Sequence, residues 1–181
     1  MRTVRHDGQS SEAKTHLLTD LLRVDDQRLI KPFLLGLPNR HNVLFDLEQG
    51  RLAGWWTGDT ASQYTEGKSW FWEVGGVNLL QTSGGDSTFA LIGDKSKEVL
   101  QPTRIGQFVT SVDRWRHIPG GLSLAYRLHF DADGSQESFA VHIAEQITAI
   151  GDEATDAEGK GSGWQRTISV GALPDGFICV F

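Results

Sequence analysis

Four of the six tryptophans in this chain fall between residues 55 and 72: Trp55, Trp56, Trp70 and Trp72. Asp59, Lys68 and Glu73 lie among them. An indole face packs well on the apolar C–H face of a sugar ring, and nearby carboxylates and ammonium groups can bond its hydroxyls. In an extended Trp70-Phe71-Trp72, period two sends both indoles to one face and Phe71 to the other. Adjacent Trp55 and Trp56 must point to opposite faces. The expected stacking platform is therefore Trp56, Trp70 and Trp72, with Asp59, Lys68 and Glu73 as hydroxyl partners. The same rings would serve equally to fill the core of a sandwich. A platform requires at least one of them exposed.

Asp46, Asp59 and Glu73 raise a different chemistry, because glycoside hydrolysis uses two facing carboxylates. Asp and Glu are common in loops, so their presence alone says little. Six histidines are scattered along the chain. Only His129 and His142 are expected on one exposed sheet face, at opposite ends of a hairpin and too far apart to share a metal. Cys179 is the single cysteine, which excludes an intrachain disulfide, a Cys-based zinc site and C-x-x-C-H haem attachment. Its apolar surroundings, Phe177-Ile178-Cys179-Val180-Phe181, read as a core thiol rather than a nucleophile. There is no G-x-S-x-G elbow, Walker A loop, G-x-G-x-x-G or H-E-x-x-H. Gly75-Gly76 and Gly84-Gly85 read as turn glycines. No catalytic residue, cofactor or metal is expected.

The chain that must position these residues has 181 residues and a net charge of −6. That length suits one domain, able to bury about 70% of its unfolded surface. The acidic balance argues against nucleic-acid and anionic-membrane partners. Residues 1–8 lack the apolar core of a signal peptide, and the stretch 74–85 is too short and glycine-rich to cross a membrane. Residues 177–181 read as a strand stopping in mid-run, so the expectation is a module cut from a larger chain.

From Arg28 onward, short apolar runs recur between Gly, Pro, Asn and Asp, the punctuation of an all-β chain. Expected strands are 29–35, 41–47, 51–57, 70–73, 77–81, 88–92, 105–115, 122–130, 136–147, 164–170 and 177–181. No long amphipathic helix interrupts them, which excludes βαβ units. Residues 151–163 read as a long hairpin loop. Residues 1–26 form a separate N-terminal arm or short helix: Leu17, Leu18, Leu21 and Leu22 follow helical spacing with Ser10 or Ser11 as cap, or an extended arm packs on a sheet. Residues 27–181 form the sandwich domain. The clearest hairpin joins 122–130 to 136–147. A four-residue loop, Asp131-Ala132-Asp133-Gly134, would set Tyr126 opposite Phe139 and Ser123 opposite His142, with every apolar residue on one face. With 164–170, these strands make one sheet of a two-layer antiparallel β-sandwich.

The stretches Lys31-Pro32-Phe33-Leu34-Leu35-Gly36-Leu37-Pro38 to Phe45-Asp46 and Leu52-Ala53-Gly54-Trp55-Trp56-Thr57-Gly58-Asp59 resemble a β-sandwich module of large exported bacterial proteins. Those proteins also carry c-type haem domains and sugar-dehydrogenase-like propellers. Leu124-Ala125-Tyr126-Arg127-Leu128 and Gly171-Ala172-Leu173-Pro174-Asp175-Gly176 fit its ending. The resemblance spans most of residues 30–181 and carries over no catalytic residues. It implies an accessory module acting in the periplasm or outside the cell as part of a larger protein. The leading expectation is a non-catalytic module that binds a polysaccharide or oligosaccharide. The alternatives are a structural domain that docks the parent chain's other domains, and a carbohydrate-active enzyme using Asp46, Asp59 or Glu73.

Overall fold

The computed structural model describes residues 2–4, 14–30, 32–82, 87–93, 97–103, 105, 109–131, 138–151 and 161–181. Ser10, Ser11, Gly84-Gly85, the start of the expected strand 136–147 and most of the loop 151–163 lie outside them. The described residues form seventeen strands and no helix.

The fold is all-β and sandwich-like, but it has three layers where two were expected. The central sheet runs in the order β10 (Val77–Gln81), β7 (Arg51–Thr57), β6 (His41–Asp46), β5 (Phe33–Gly36), β2 (His16–Leu18). Both of its faces are covered, so β5 and β6 are buried at every position. That burial matches their near-continuous apolar sequence, Phe33-Leu34-Leu35 and Val43-Leu44-Phe45. Alternation then divides the side chains between two cores. Leu34, Leu44, Ala53 and Trp56 meet Leu22, Leu29, Ala61 and Trp72 on one side. Phe33, Leu35, Val43 and Phe45 meet Leu122, Leu124, Leu128, Val141 and Ile143 on the other. Each large aliphatic side chain that is fully buried here contributes roughly 1.5–3 kcal/mol.

The first outer sheet runs β1 (Arg2–Val4), β8 (Ala61–Glu66), β9 (Ser69–Val74), β3 (Leu22–Val24), β4 (Gln27–Leu29). Only its β3–β9 pair is parallel. The opposite layer is an antiparallel sheet in chain order: β13 (Thr110–Ile118), β14 (Gly121–Asp131), β15 (Ser138–Ile150), β16 (Gly163–Val170). A small sheet of β12 (Val99–Leu100), β11 (Ala90–Gly93) and β17 (Phe177–Val180) adds Leu91 and Leu100 to the larger core.

Of the two alternatives for the N-terminal segment, helix or extended arm packed on a sheet, its described residues 14–24 take the extended one. Leu17 pairs with Leu35 in the central sheet, and Leu22 pairs with Leu29 in the outer one. The four leucines are therefore shared between two sheets rather than spread along one helical face. The β14–β15 hairpin keeps its expected faces but not its register. Tyr126 pairs with Ile143 and Ser123 with Gln146, because the ladder closes at Asp131↔Ser138 rather than around a four-residue loop. The shift is an even number of residues, so no side chain changes face.

Candidate functional site

The expected platform is not assembled. Trp56 and Trp72 are buried in the core between the central and first outer sheets, so neither ring presents a face to a ligand. Phe71 takes the opposite face, stacked on Tyr64 and covered by Arg23, as alternation requires. Trp70 alone of the three is open, at 47% exposure. Exposed Lys68 stands beside it at the β8–β9 turn. Asp59 lies past the other end of that hairpin, roughly 20 Å away for the six residues of β8 between them. Glu73 is half-buried and held by Arg23 Nε at 3.0 Å.

The carboxylates do not come together either. Asp46 is buried, accepts from the Glu48 backbone N–H at 3.0 Å and lies 3.6 Å from Arg51. It sits at the far end of the β6–β7 hairpin from Asp59. His129 and His142, by contrast, are nearer than expected. Arg127 pairs with His142 and His129 with Ala140, which makes the two histidines diagonal neighbours. Each has its own partner: His129 Nε2 is 3.3 Å from Ser111 Oγ, and His142 Nδ1 is 3.7 Å from Asp113. Among the described residues, no group of three or more His, Cys, Asp or Glu could hold a metal ion. Cys179 packs against the larger core, and burial raises its thiol above the usual range.

What the fold does assemble around Asp59 is an open polar cleft of about 520 Å³ at one end of the central sheet. Its first wall is the β5–β6 connection. Arg40 N–H bonds Leu37 C=O at 3.0 Å, with Pro38 inside the turn, and Arg40 follows in the left-handed region at φ 64°. This is the three-residue hairpin loop of a type I turn closed by a left-handed residue. The loop is tied down on both sides. Fully buried Asn42 donates to the carbonyls of Arg40 and Gly58 at 3.2 and 3.1 Å. The Asn39 amide donates to the carbonyls of Ile150, Gly151 and Gly163, at 3.0, 3.3 and 2.7 Å, and so anchors the end of the β15–β16 pair beside the cleft.

The second wall is Thr57, Gly58 and Asp59, leaving β7. The third is Gly76 and Val77, entering β10. These two segments cross backbone on backbone. A Cβ added to Gly76, whose φ is +79°, would lie 1.9 Å from the Thr57 carbonyl oxygen. Only glycine fits, and the close crossing fixes where Asp59 and Val77 stand. The Arg40 guanidinium lies over Gly58, 4.0 Å from where a Cβ would be.

Beneath the cleft, His41 is buried and bonded through both ring nitrogens. Trp55 Nε1 lies 3.0 Å from Nδ1, and Ser162 Oγ lies 3.2 Å from Nε2. An indole N–H can only donate, so Nδ1 must be the unprotonated nitrogen. Neutral His41 then carries its proton on Nε2 and donates it to Ser162. The histidine has no lone pair left for the serine hydroxyl, so this is not a nucleophile–base pair. The chain Trp55–His41–Ser162 fixes the floor, and the edge of Trp164 against Trp55, with ring centroids 6.1 Å apart, closes it below. The arrangement offers a ligand a guanidinium, a carboxylate, hydroxyl groups and an apolar Val77, on supports locked by hydrogen bonds.

Of the residues expected to bind a ligand, Asp59 alone lines this cleft, and Arg40, His41 and Ser162 were not among them. The Pro38-Asn39-Arg40 turn carried a signal, since Pro and Asn together mark a loop. Nothing local marks Ser162, which reaches His41 across 121 positions. A second missed cluster lies inside the larger core. Glu145 is fully buried and accepts both Nε and Nη2 of Arg166 at 2.7 Å and the hydroxyl of Tyr126. Burial, then the Glu145 charge, holds Tyr126 protonated far above the usual phenol range. Burial works against the charge of Arg166, but the bonds and charge of Glu145 outweigh it and raise its pKa. Strict alternation between Ile143 and Ile147 already places Glu145 inward.

Compared with protein-family models, curated proteins and solved structures, the chain matches none of them. Its function is read from its own geometry.

Proposed function

We propose that this chain is a non-catalytic binding module for an oligosaccharide, acting as one part of an exported multidomain protein. The site is the cleft between the β5–β6 turn and the Gly58–Gly76 crossing, not the tryptophan platform. The observation that supports this reading is the donor and acceptor set of the cleft. Arg40, Asp59 and Thr57 converge on one open volume of about 520 Å³, with Val77 as an apolar contact. A volume of this size is in the range of small-molecule sites, and a rigid polar rim is what a ligand rich in hydroxyls needs. Catalysis finds no matching support, because His41 is committed as a donor to Ser162 and Asp46 is far from Asp59.

Calorimetric titration with a panel of soluble oligosaccharides tests the proposal, with Asp59→Ala and Arg40→Ala as variants. At least one glycan is expected to bind saturably, with a loss of about tenfold or more in each variant. No binding by any glycan, or binding indifferent to both substitutions, would sink it.

A docking role toward neighbouring domains is the second reading, and one observation favours it. The edge strand β10 exposes Val77, Leu79 and Leu80 together, at 67%, 48% and 45%. Concentration-dependent self-association of the isolated chain, lost on Leu79→Lys, is the result that would move the assignment there.

A further inference from the structure

The outward face of the sheet β13–β16 carries a trough that no part of the cleft touches. The ladder sets Arg114 opposite Ala125, Ala125 opposite Ala144 and Ala144 opposite Ser169. A line of short side chains, Ala125, Ala144 and Ser169, therefore crosses three strands, about 10 Å for two strand spacings, and ends at Arg114 on the fourth. Taller side chains flank it. On one side Arg127 stands opposite His142. On the other, Arg116, Ser123, Gln146 and Thr167 form a continuous row. A depression of about 450 Å³ opens along this line, bordered by Asp113, Arg114, Ala125, His142, Ala144 and Ser169.

Its charge runs against that of the whole molecule. The chain carries −6 with its histidines neutral, yet three arginines, Arg114, Arg116 and Arg127, share this face with two carboxylates, Asp113 and Asp131. Its carboxylate at the trough, Asp113, is already taken by Arg127 at 2.8 and 2.9 Å. Among the described residues, exposed Arg114 and Arg116 enter no ion pair. The Arg114 fork at the depression, Arg116 with hydroxyl and amide groups in the next row of the face, and methyl groups on the floor suit a ligand that alternates carboxylates with hydroxyls. The floor has no aromatic ring on which a base could stack, which disfavours single-stranded nucleic acid.

We propose that this trough is a second binding site, for an extended polyanionic sugar chain of the polyuronate kind. Non-specific attraction is absent for a chain of this net charge, so any affinity for a polyanion must be local.

The test is titration of the full chain with sodium polygalacturonate, and separately with neutral dextran and with polyuridylate. Two variants accompany it: Arg114→Gln with Arg116→Gln, and Ala144→Trp, which fills the floor from a solvent-facing position. Thermal melting checks the folding of both. Polygalacturonate is expected to bind, and to weaken as salt rises. The double glutamine variant is expected to lose about tenfold or more, and Ala144→Trp to abolish binding. Dextran and polyuridylate are expected to bind at least about tenfold more weakly than polygalacturonate. Absence of polygalacturonate binding, equal binding by the folded variants, or tighter binding of polyuridylate would each overturn the proposal. The trough shares no residue with the cleft, so its failure leaves the oligosaccharide reading standing.

Discussion

Replacing Glu145 with glutamine keeps the shape of the side chain and removes its charge. In the native protein both carboxylate oxygens are engaged, by the Arg166 fork at 2.7 Å and by the Tyr126 hydroxyl. The Glu145 side chain has no exposure and that of Arg166 only 14%, so water cannot take over these bonds. Glutamine leaves a guanidinium buried without a counter-charge and turns an amide N–H₂ toward its donors. Removing one partner of a buried pair typically costs about 3–5 kcal/mol. For a chain of this length about 1 kcal/mol moves the melting temperature by roughly 2–4 °C, so Glu145→Gln should melt roughly 6–20 °C lower. Calorimetric melting and urea unfolding measure this, with an unchanged urea slope as evidence that the unfolded state is unaffected. A second variant separates charge from packing. Glu145→Leu with Arg166→Met, made together with Tyr126→Phe so that no hydroxyl is left buried without its acceptor, replaces the cluster by apolar groups of similar size, and should recover most of the loss. A single variant within about 1 kcal/mol of wild type, or a triple variant as unstable as the single, would refute the reasoning that the cost is an unpaired buried charge.

Other outcomes follow from the same structure. Gly76→Ala puts a methyl 1.9 Å from the Thr57 carbonyl oxygen at a φ of +79°, so it should destabilise by about 1–3 kcal/mol and weaken ligand binding in the cleft, read by melting and titration together. Trp72→Ala should cost about 3–5 kcal/mol in urea unfolding, whereas Trp70→Ala should stay within about 0.5 kcal/mol, reversing the expectation that the two act as a pair. Cys179 should alkylate with iodoacetamide at neutral pH more slowly than free cysteine, because burial raises its thiol pKa and leaves less thiolate.

The β-class and the two faces of most strands were legible in the sequence because alternation is a local property. Leu122 to Phe130 and Phe139 to Ile147 show it most clearly, and both face the core as expected. What lies beyond one strand was less legible. The third layer was hidden because β8 is half solvated, and Ala61-Ser62-Gln63-Tyr64-Thr65-Glu66 shows no apolar run to announce the partner of the expected strand 70–73. The leucines from Leu17 to Leu22 fit a helical spacing and also fit two short strands in different sheets, and only their partners Leu35 and Leu29 decide. The tryptophans were conspicuous for their size, yet burial in a core is set by a facing sheet that the local sequence does not display. Asp59 drew notice for its place beside the tryptophans, whereas its position in the cleft depends on the distant Gly76 crossing. Ser162 and Asn39 were missed because their partners lie more than a hundred positions away.

The most direct measurement is the backbone amide spectrum of the isotope-labelled chain, recorded with and without a saturating oligosaccharide. The account predicts shifts concentrated at Arg40, Gly58, Asp59, Gly76 and Val77, with the indole N–H of Trp55 moving as the floor responds. Shifts centred on Lys68 and Trp70, or no shifts at any glycan concentration, would contradict it.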